Sequence, residues 1–253
     1  MTRSPGGTGR TPLVLLHGLT DSAACWPSVV AEFGATRRVI ALDARGHGGA
    51  PLPDEPFTIS ALAADAARAL REVGPAIVLG HSMGGATAGA LVSQEPELVA
   101  ALILEDPAWQ GGGVDGGAPA WLGDTVRRLA GRPRTELAAI AEVDCAGWPA
   151  AEVDGWIDAK RGLDPRIAEV PQQWQERDWV AATAEVAVPV TLITGENARG
   201  SIVTPAQVEV ARAGLGERLT HVPVPGAGHN IRREAPAAFL AAVRDAVRRN
   251  DEG

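Results

Sequence analysis

Six short apolar runs alternate with longer alanine-rich stretches along this 253-residue chain, and that alternation limits the fold most. The runs are "LVLLHG" (13–18), "RVIALD" (38–43), "AIVLG" (76–80), "VAALILED" (99–106), "VPVTLIT" (188–194) and "RLTHVPV" (218–224). Each is short enough for a strand, and all but the last are nearly continuous rather than alternating, as a strand buried on both faces requires; His221 alternates within the last. Between them lie segments with helical spacing or helix stop signals. "SAACWPSVVAEF" (22–33) reads as a helix, and "ISALAADAARALREVG" (59–74) as one ending at Gly74. "MGGATAGALVSQEP" (83–96) reads as a helix halted before Pro96, "TPAQVEVARAGLG" (204–216) as one begun by proline, and "REAPAAFLAAVRDAVRR" (233–249) as a closing helix. Strand and helix in turn imply an α/β domain with a mostly parallel sheet covered on both faces.

Residues 107–180 break the rhythm. They carry six of the seven tryptophans (Trp109, Trp121, Trp148, Trp156, Trp174 and Trp179), open on glycine clusters at 111–113 and 116–117, and show no strand pattern. The expected organisation is a flexible tail over 1–11, a core of 12–106 and 181–253, and a helical insertion at 107–180. The insertion's tryptophans suit either a small core of their own or the roof of an apolar pocket. Trp26, Trp109, Trp121 and Trp156 are the candidate substrate-binding residues.

Composition narrows the function. With 31 acidic against 23 basic residues the formal net charge is −8, which argues against a nucleic-acid binder. No run of 18 apolar residues and no leader-like apolar stretch appear, so no membrane association and a cytoplasmic location are expected. Cys25 and Cys145 lack metal-ligand spacing and read as reduced thiols. No cofactor and no metal are expected. The expected partner is a small-molecule substrate, with a homodimer possible.

The chemistry centres on "GHSMG" (80–84), a Gly-x-Ser-x-Gly set between an apolar run and a helical run. A sharp strand-to-helix reversal needs glycines where the backbones crowd, and it pushes Ser82 out at the sheet's C-terminal edge. A serine hydroxyl is a weak nucleophile and needs a base. His229, in "GAGHN" after the last apolar run, is the best placed of the five histidines. His17, His47, His81 and His221 read as packing or bracing groups. The Met83 N–H supplies one oxyanion donor.

Taken in order, "HGLTDS" (17–22), "DARGHGGA" (43–50), "GHSMGG" (80–85), "LEDPAW" (104–109), "TGENARGSIVTP" (194–205) and "PGAGHNIRREAP" (225–236) resemble the motifs of the α/β-hydrolase fold superfamily, in its single-domain form with a helical cap. The resemblance covers about residues 13–249. It implies a sheet of about six strands here, because the family's N-terminal hairpin has no counterpart before Leu13. It also implies that His229 returns to Ser82, that the Leu19 N–H is the second oxyanion donor, and that Asp43 and Arg45 support the floor of the site. Asp21 and Trp26 would then lie close behind the oxyanion loop. The family's usual aspartate after the fifth strand is absent; "GENARG" offers only Glu196. Some members, haloalkane dehalogenases and a group of lactone hydrolases among them, take the acid from the preceding strand end, which here is Asp106. Asp106 is preferred, Glu196 is the alternative, and Glu105 should point away because side chains alternate along a strand.

The expected activity is a serine hydrolase acting on a carboxylic ester or lactone of a medium-sized, largely apolar substrate, through a Ser82–His229–acid triad and an acyl-enzyme. A C–C hydrolase or lyase of the same fold, or a non-catalytic ligand-binding receptor, are the rivals. A nucleophilic-aspartate enzyme is disfavoured by serine at position 82.

Overall fold

Each expected apolar run becomes a strand in the computed structural model, which describes residues 2–3, 10–109 and 119–252. The glycine clusters at 111–113 and 116–117, and residues 4–9 of the expected tail, lie outside the described residues. The strands are β1 (Thr2–Arg3), β2 (Leu13–Leu16), β3 (Val39–Leu42), β4 (Phe57–Thr58), β5 (Ala76–His81), β6 (Val99–Glu105), β7 (Gln172–Gln173), β8 (Val190–Thr194) and β9 (Leu219–Pro223). The main sheet runs β1-β3-β2-β5-β6-β8-β9. Its last six strands in that order are mutually parallel, and β1 pairs antiparallel with β3 at the edge. Within the expected tail, Thr2 and Arg3 pair with Ala41 and Ile40.

Both faces of the central strands β2, β5, β6 and β8 are buried, which is why they read as continuous apolar runs, whereas the edge strand β9 is only partly buried. In β2, Val14 and Leu16 join one cluster while Leu13 and Leu15 join the other, as the two-residue period of a strand dictates. The first cluster takes in α2 (Ile59–Val73), α3 (Met83–Gln94) and α8 (Pro205–Leu215). The second takes in α1 (Pro27–Phe33) and α10 (Pro236–Glu252), through Val29, Phe33, Phe239 and Val243. Chain order reverses between β2 and β5, and the loops leaving their C-terminal ends splay apart to open a crevice.

Two helices differ from the expected bounds, and proline explains both. The helix expected at 22–33 is a short turn at Ala23–Cys25 followed by α1, because Pro27 starts a helix better than it continues one. The closing helix divides into α9 (Ile231–Glu234) and α10, with Ala235 non-helical before Pro236.

The insertion holds α4 (Leu122–Leu129), α5 (Arg134–Asp144) and α6 (Ala150–Arg161), with their own cluster of Leu129, Leu137, Ala141, Cys145, Trp156 and Ile157. It is not free of strand: β7 pairs parallel with β4 of the core. Trp174 and Trp179 belong to the main core, so the chain rejoins it before residue 180, and α7 (Trp179–Ala184) already packs on α3 and α8. Helix α6 reaches the core closely. A Cβ on Gly155 would meet the Ala24 carbonyl oxygen at 2.4 Å, and Ser28 donates to the Glu152 carboxylate at 2.7 Å.

Candidate active site

Among the described residues, only three that are not glycine hold a positive φ: Thr20 (66°), Ser82 (53°) and Asp106 (40°). They follow β2, β5 and β6, three adjacent strands. Such conformations cost free energy and persist where surrounding structure enforces them, which is commonly at a working site.

The Ser82 turn is enforced by crowding. A Cβ on Gly80 would stand 2.3 Å from the Gly84 carbonyl oxygen, and one on Gly84 would stand 2.1 Å from that of Leu16. Glycine at both positions lets the strand end, the helix start and the neighbouring strand close on one another. The Ser82 N–H donates to the Glu105 carbonyl at 3.0 Å, and the Ser82 carbonyl accepts from Gly85, Ala86 and Ala108. The hydroxyl is left at the N-terminus of α3 with no hydrogen bond among the described residues.

Asp106 is fully buried and meets His229: Nδ1–H donates to Oδ2 at 2.6 Å. Three further donors converge on the same carboxylate: Ser201 Oγ (2.7 Å), Ile202 N–H (2.9 Å) and Val203 N–H (3.1 Å). The loop after β8, where the resemblance looks for an aspartate, therefore supplies hydrogen-bond donors to the aspartate of β6. Glu196 is exposed and turns to the Gly226 N–H at 3.0 Å, bracing the turn before His229 rather than its ring. Glu105 points elsewhere, to the Arg232 N–H (2.8 Å) and guanidinium (3.2 Å).

With Nδ1 donating, Nε2 of the His229 ring is an unprotonated acceptor in the neutral imidazole. His81 fixes the backbone behind it, its Nε2–H donating to the His229 carbonyl at 3.1 Å. The loop after β2 is braced in the same manner. His47 Nε2 accepts from the Thr20 N–H at 3.1 Å, and His17 Nε2 accepts from the Ala44 N–H at 3.0 Å. Their Nδ1–H groups donate to the carbonyls of Arg45 and Gly18. No hydrogen bond occupies the Leu19 or Met83 amide among the described residues. Asp43 accepts from the Ala23 N–H, and Arg45 pairs with Asp65 at 2.7 Å.

These buried rings give a pH dependence. Burial, with His17 nearby, holds His47 down to about 3, and burial likewise holds His81 well below its ordinary 6.5. Unfolded imidazoles take up protons near pH 6.5, so between these values the unfolded chain binds more protons than the folded one. The rings thus stabilise the fold fully above pH 6.5 and lose that contribution as pH falls toward 3. The urea midpoint should drop steadily from pH 7 to pH 5; a constant midpoint would contradict neutral buried rings.

Ser82 and His229 line one cavity of about 180 Å³, together with Leu19, Thr20, Asp21, Trp121, Trp148, Trp156, Lys160 and Arg233. A larger cavity of about 360 Å³ lies among the ends of β2 and β3, the loop after β3, α2 and α3 but includes neither Ser82 nor His229. The cavity that Ser82 lines is smaller than the roughly 300–1,000 Å³ that drug-sized ligands need, and its wall combines tryptophans with ionisable groups. Trp121 and Trp156 line it as expected. Trp26 does not; it is fully buried under the Arg232 guanidinium, 4.7 Å from its ring centre. Trp109 does not either, facing a surface cleft beside α8.

One wall of the cavity is formed by part of a buried ion cluster. Asp21 accepts from Arg232 (2.7 Å) and Arg233 (3.0 Å), and Lys160 stands 3.6 Å away. Against the cost of burial, these cations hold the Asp21 carboxyl well below the usual range. Burial pushes Lys160 down from its ordinary value while Asp21 pulls it back. No group of three or more His, Cys, Asp or Glu side chains among the described residues could hold a metal ion. No described helix is long and apolar enough to cross a membrane.

A model of the alpha/beta hydrolase family matches residues 13–243. The chain belongs to the alpha/beta hydrolase family. It is 28% identical over 258 residues to 2-(acetamidomethylene)succinate hydrolase of Mesorhizobium japonicum, covering 94% of this chain and 89% of that one. It is 38% identical over 105 residues to the sn-1-specific diacylglycerol lipase ABHD11 of Xenopus tropicalis, covering 40% of this chain and only 33% of that protein. The solved N-formylmaleamic acid deformylase of Pseudomonas putida S16 shares the fold at a TM-score of 0.78 and 22% identity, covering 96% of this chain and 94% of that one. Other solved neighbours of this hydrolase are esterases and lactonases. These relatives and neighbours are, by name, a succinate-derivative hydrolase, a lipase, a deformylase, an esterase and a lactonase.

Proposed function

We propose that this alpha/beta hydrolase is a serine hydrolase that opens a small carboxylic ester or lactone through an acyl-enzyme. The observation that carries the reading is the 2.6 Å contact of His229 Nδ1 with the buried Asp106 carboxylate, in the cavity that Ser82 lines. Ser82 Oγ attacks the acyl carbon and gives its proton to His229 Nε2. The carbonyl oxygen becomes an oxyanion held by the Leu19 and Met83 N–H groups. Asp106 orients the ring and stabilises the imidazolium. Collapse expels the alkoxide, which takes the proton from His229. Water then attacks the acyl-enzyme by the same route and frees the acid and Ser82.

Amide cleavage is the second reading. It is supported by the relative aligned over 94% of the chain, whose name describes an acetamido substrate, and by a cavity lined with hydrogen-bonding groups. The same machinery serves it, with an amine leaving after protonation by His229. The cavity's size argues against a bulky substrate. Hydrolysis of 4-nitrophenyl acetate by the purified protein, with a burst of nitrophenol on mixing if deacylation is slow, is the expected result. Saturable binding of small esters with no release of nitrophenol would instead favour the receptor reading.

A further inference from the structure

We infer that Lys160 and Arg233 form a carboxylate-binding subsite beside Ser82, so that the substrate is an anionic acyl compound with a free carboxylate near its scissile carbonyl. The inference rests on the serine-hydrolase reading above. Lys160 is the only lysine in a chain of 23 basic residues, and it is 3% exposed. Arg233 is 2% exposed. Both line the cavity that Ser82 and His229 share. Cations are costly to bury, and a buried one calls for acceptors.

The acceptors present do not use all the donors. The Lys160 ammonium spends two N–H groups on the Thr20 carbonyl (2.6 Å) and hydroxyl (2.8 Å), and beyond them stands 3.6 Å from Asp21 Oδ1. The Arg233 guanidinium gives one N–H to Asn230 (3.0 Å) and one to Asp21 (3.0 Å). Its Nε–H is buried with no partner, the nearest carboxylate being Glu152 at 3.7 Å. Of the three acids around these cations, only Asp21 lines the cavity, and its Oδ2 already accepts from both Arg232 and Arg233. Glu105 and Glu152 sit behind, against Arg232 and Ser28. The wall seen from the cavity therefore has two cations against one carboxylate, Asp21, which both of them share with Arg232.

The surroundings strengthen such a site. Trp148 stacks on Arg233, with 4.6 Å from the guanidinium carbon to the ring centre, and the Trp156 ring lies 5.4 Å from Lys160 Nζ. Aromatic walls exclude water and raise the pull of a cation on an anion. A carboxylate entering here would meet the Lys160 ammonium and the Arg233 guanidinium together, which would set the distance from the anion to the Ser82 hydroxyl.

The test is binding to the Ser82→Ala protein, so that turnover does not intervene. Half-methyl esters of the linear diacids from malonate to adipate are compared with their dimethyl esters by calorimetry. At one or more chain lengths the half-ester should bind at least tenfold more tightly, and Lys160→Met in the same background should reduce that preference at least fivefold. If no half-ester binds more tightly than its diester, the subsite is overturned, and this comparison stands even if the Lys160 variant fails to fold. The two readings fail separately. A half-ester preference without ester turnover in the wild type leaves the subsite and removes the serine hydrolase; turnover of neutral esters without that preference does the reverse.

Discussion

Ser82→Ala should lower kcat for a short ester by on the order of 10⁵-fold or more, with little change in folding stability. The effect is large because nucleophile and base act as a unit, so removing either leaves only oxyanion stabilisation and binding. The fold should tolerate the change. The Ser82 hydroxyl makes no hydrogen bond among the described residues, and the strained turn is held by backbone bonds to Glu105, Gly85, Ala86 and Ala108. Alanine at φ 53° keeps the same steric cost as serine. Steady-state kinetics beside a denaturant melt separates the outcomes. Retention of even a tenth of the activity would mean that another group attacks.

Asp106→Asn should cost about 10⁴-fold in kcat, or about 5 kcal/mol of transition-state stabilisation, while Glu196→Gln should change it by less than about threefold. The asparagine amide can be oriented with its NH2 toward His229, which would reverse the ring's tautomer and put a proton on the nitrogen that must accept one. In that orientation Ser201 and Val203 keep only a neutral acceptor, and the Ile202 N–H, which donates to the oxygen that His229 shares, would face the NH2. Glu196 is exposed and holds only the Gly226 N–H, so its amide can do the same work. If the glutamine variant loses activity and the asparagine variant keeps it, the acid assigned here is wrong.

The sheet was legible in the sequence because its signal is local. Each buried strand is a short apolar run, and "GHSMG" carries in its own glycines the reason for the turn around Ser82. The acid was less legible. Spacing locates Asp106 and Glu196 at two adjacent strand ends, but which carboxylate faces the ring depends on the positive φ at Asp106 and on the donors from Ser201 to Val203. These are contacts across about 95 residues of chain, and no local pattern records them.

The pocket wall was the least legible part. Lys160 ends α6 and Arg233 lies in α9, where a basic residue in a last turn reads as an ordinary helix-end charge. Only tertiary packing turns both inward. One signal was available: a single lysine in a chain that otherwise uses arginine is an unusual choice. Trp26 was misplaced for the same reason, since nothing near it in sequence reveals that Arg232 comes to cover its ring. Hydrophobicity alone suggested an apolar pocket, whereas the tryptophans lining the cavity share it with charges.

The central claim is that Ser82 is a nucleophile activated by the His229–Asp106 pair. A fluorophosphonate probe, followed by peptide mass spectrometry, tests it most directly. The account predicts one covalent adduct per chain, located on Ser82, with labelling slowed by orders of magnitude in His229→Ala and Asp106→Asn. An adduct on another residue, or none on a protein that hydrolyses esters, would contradict it.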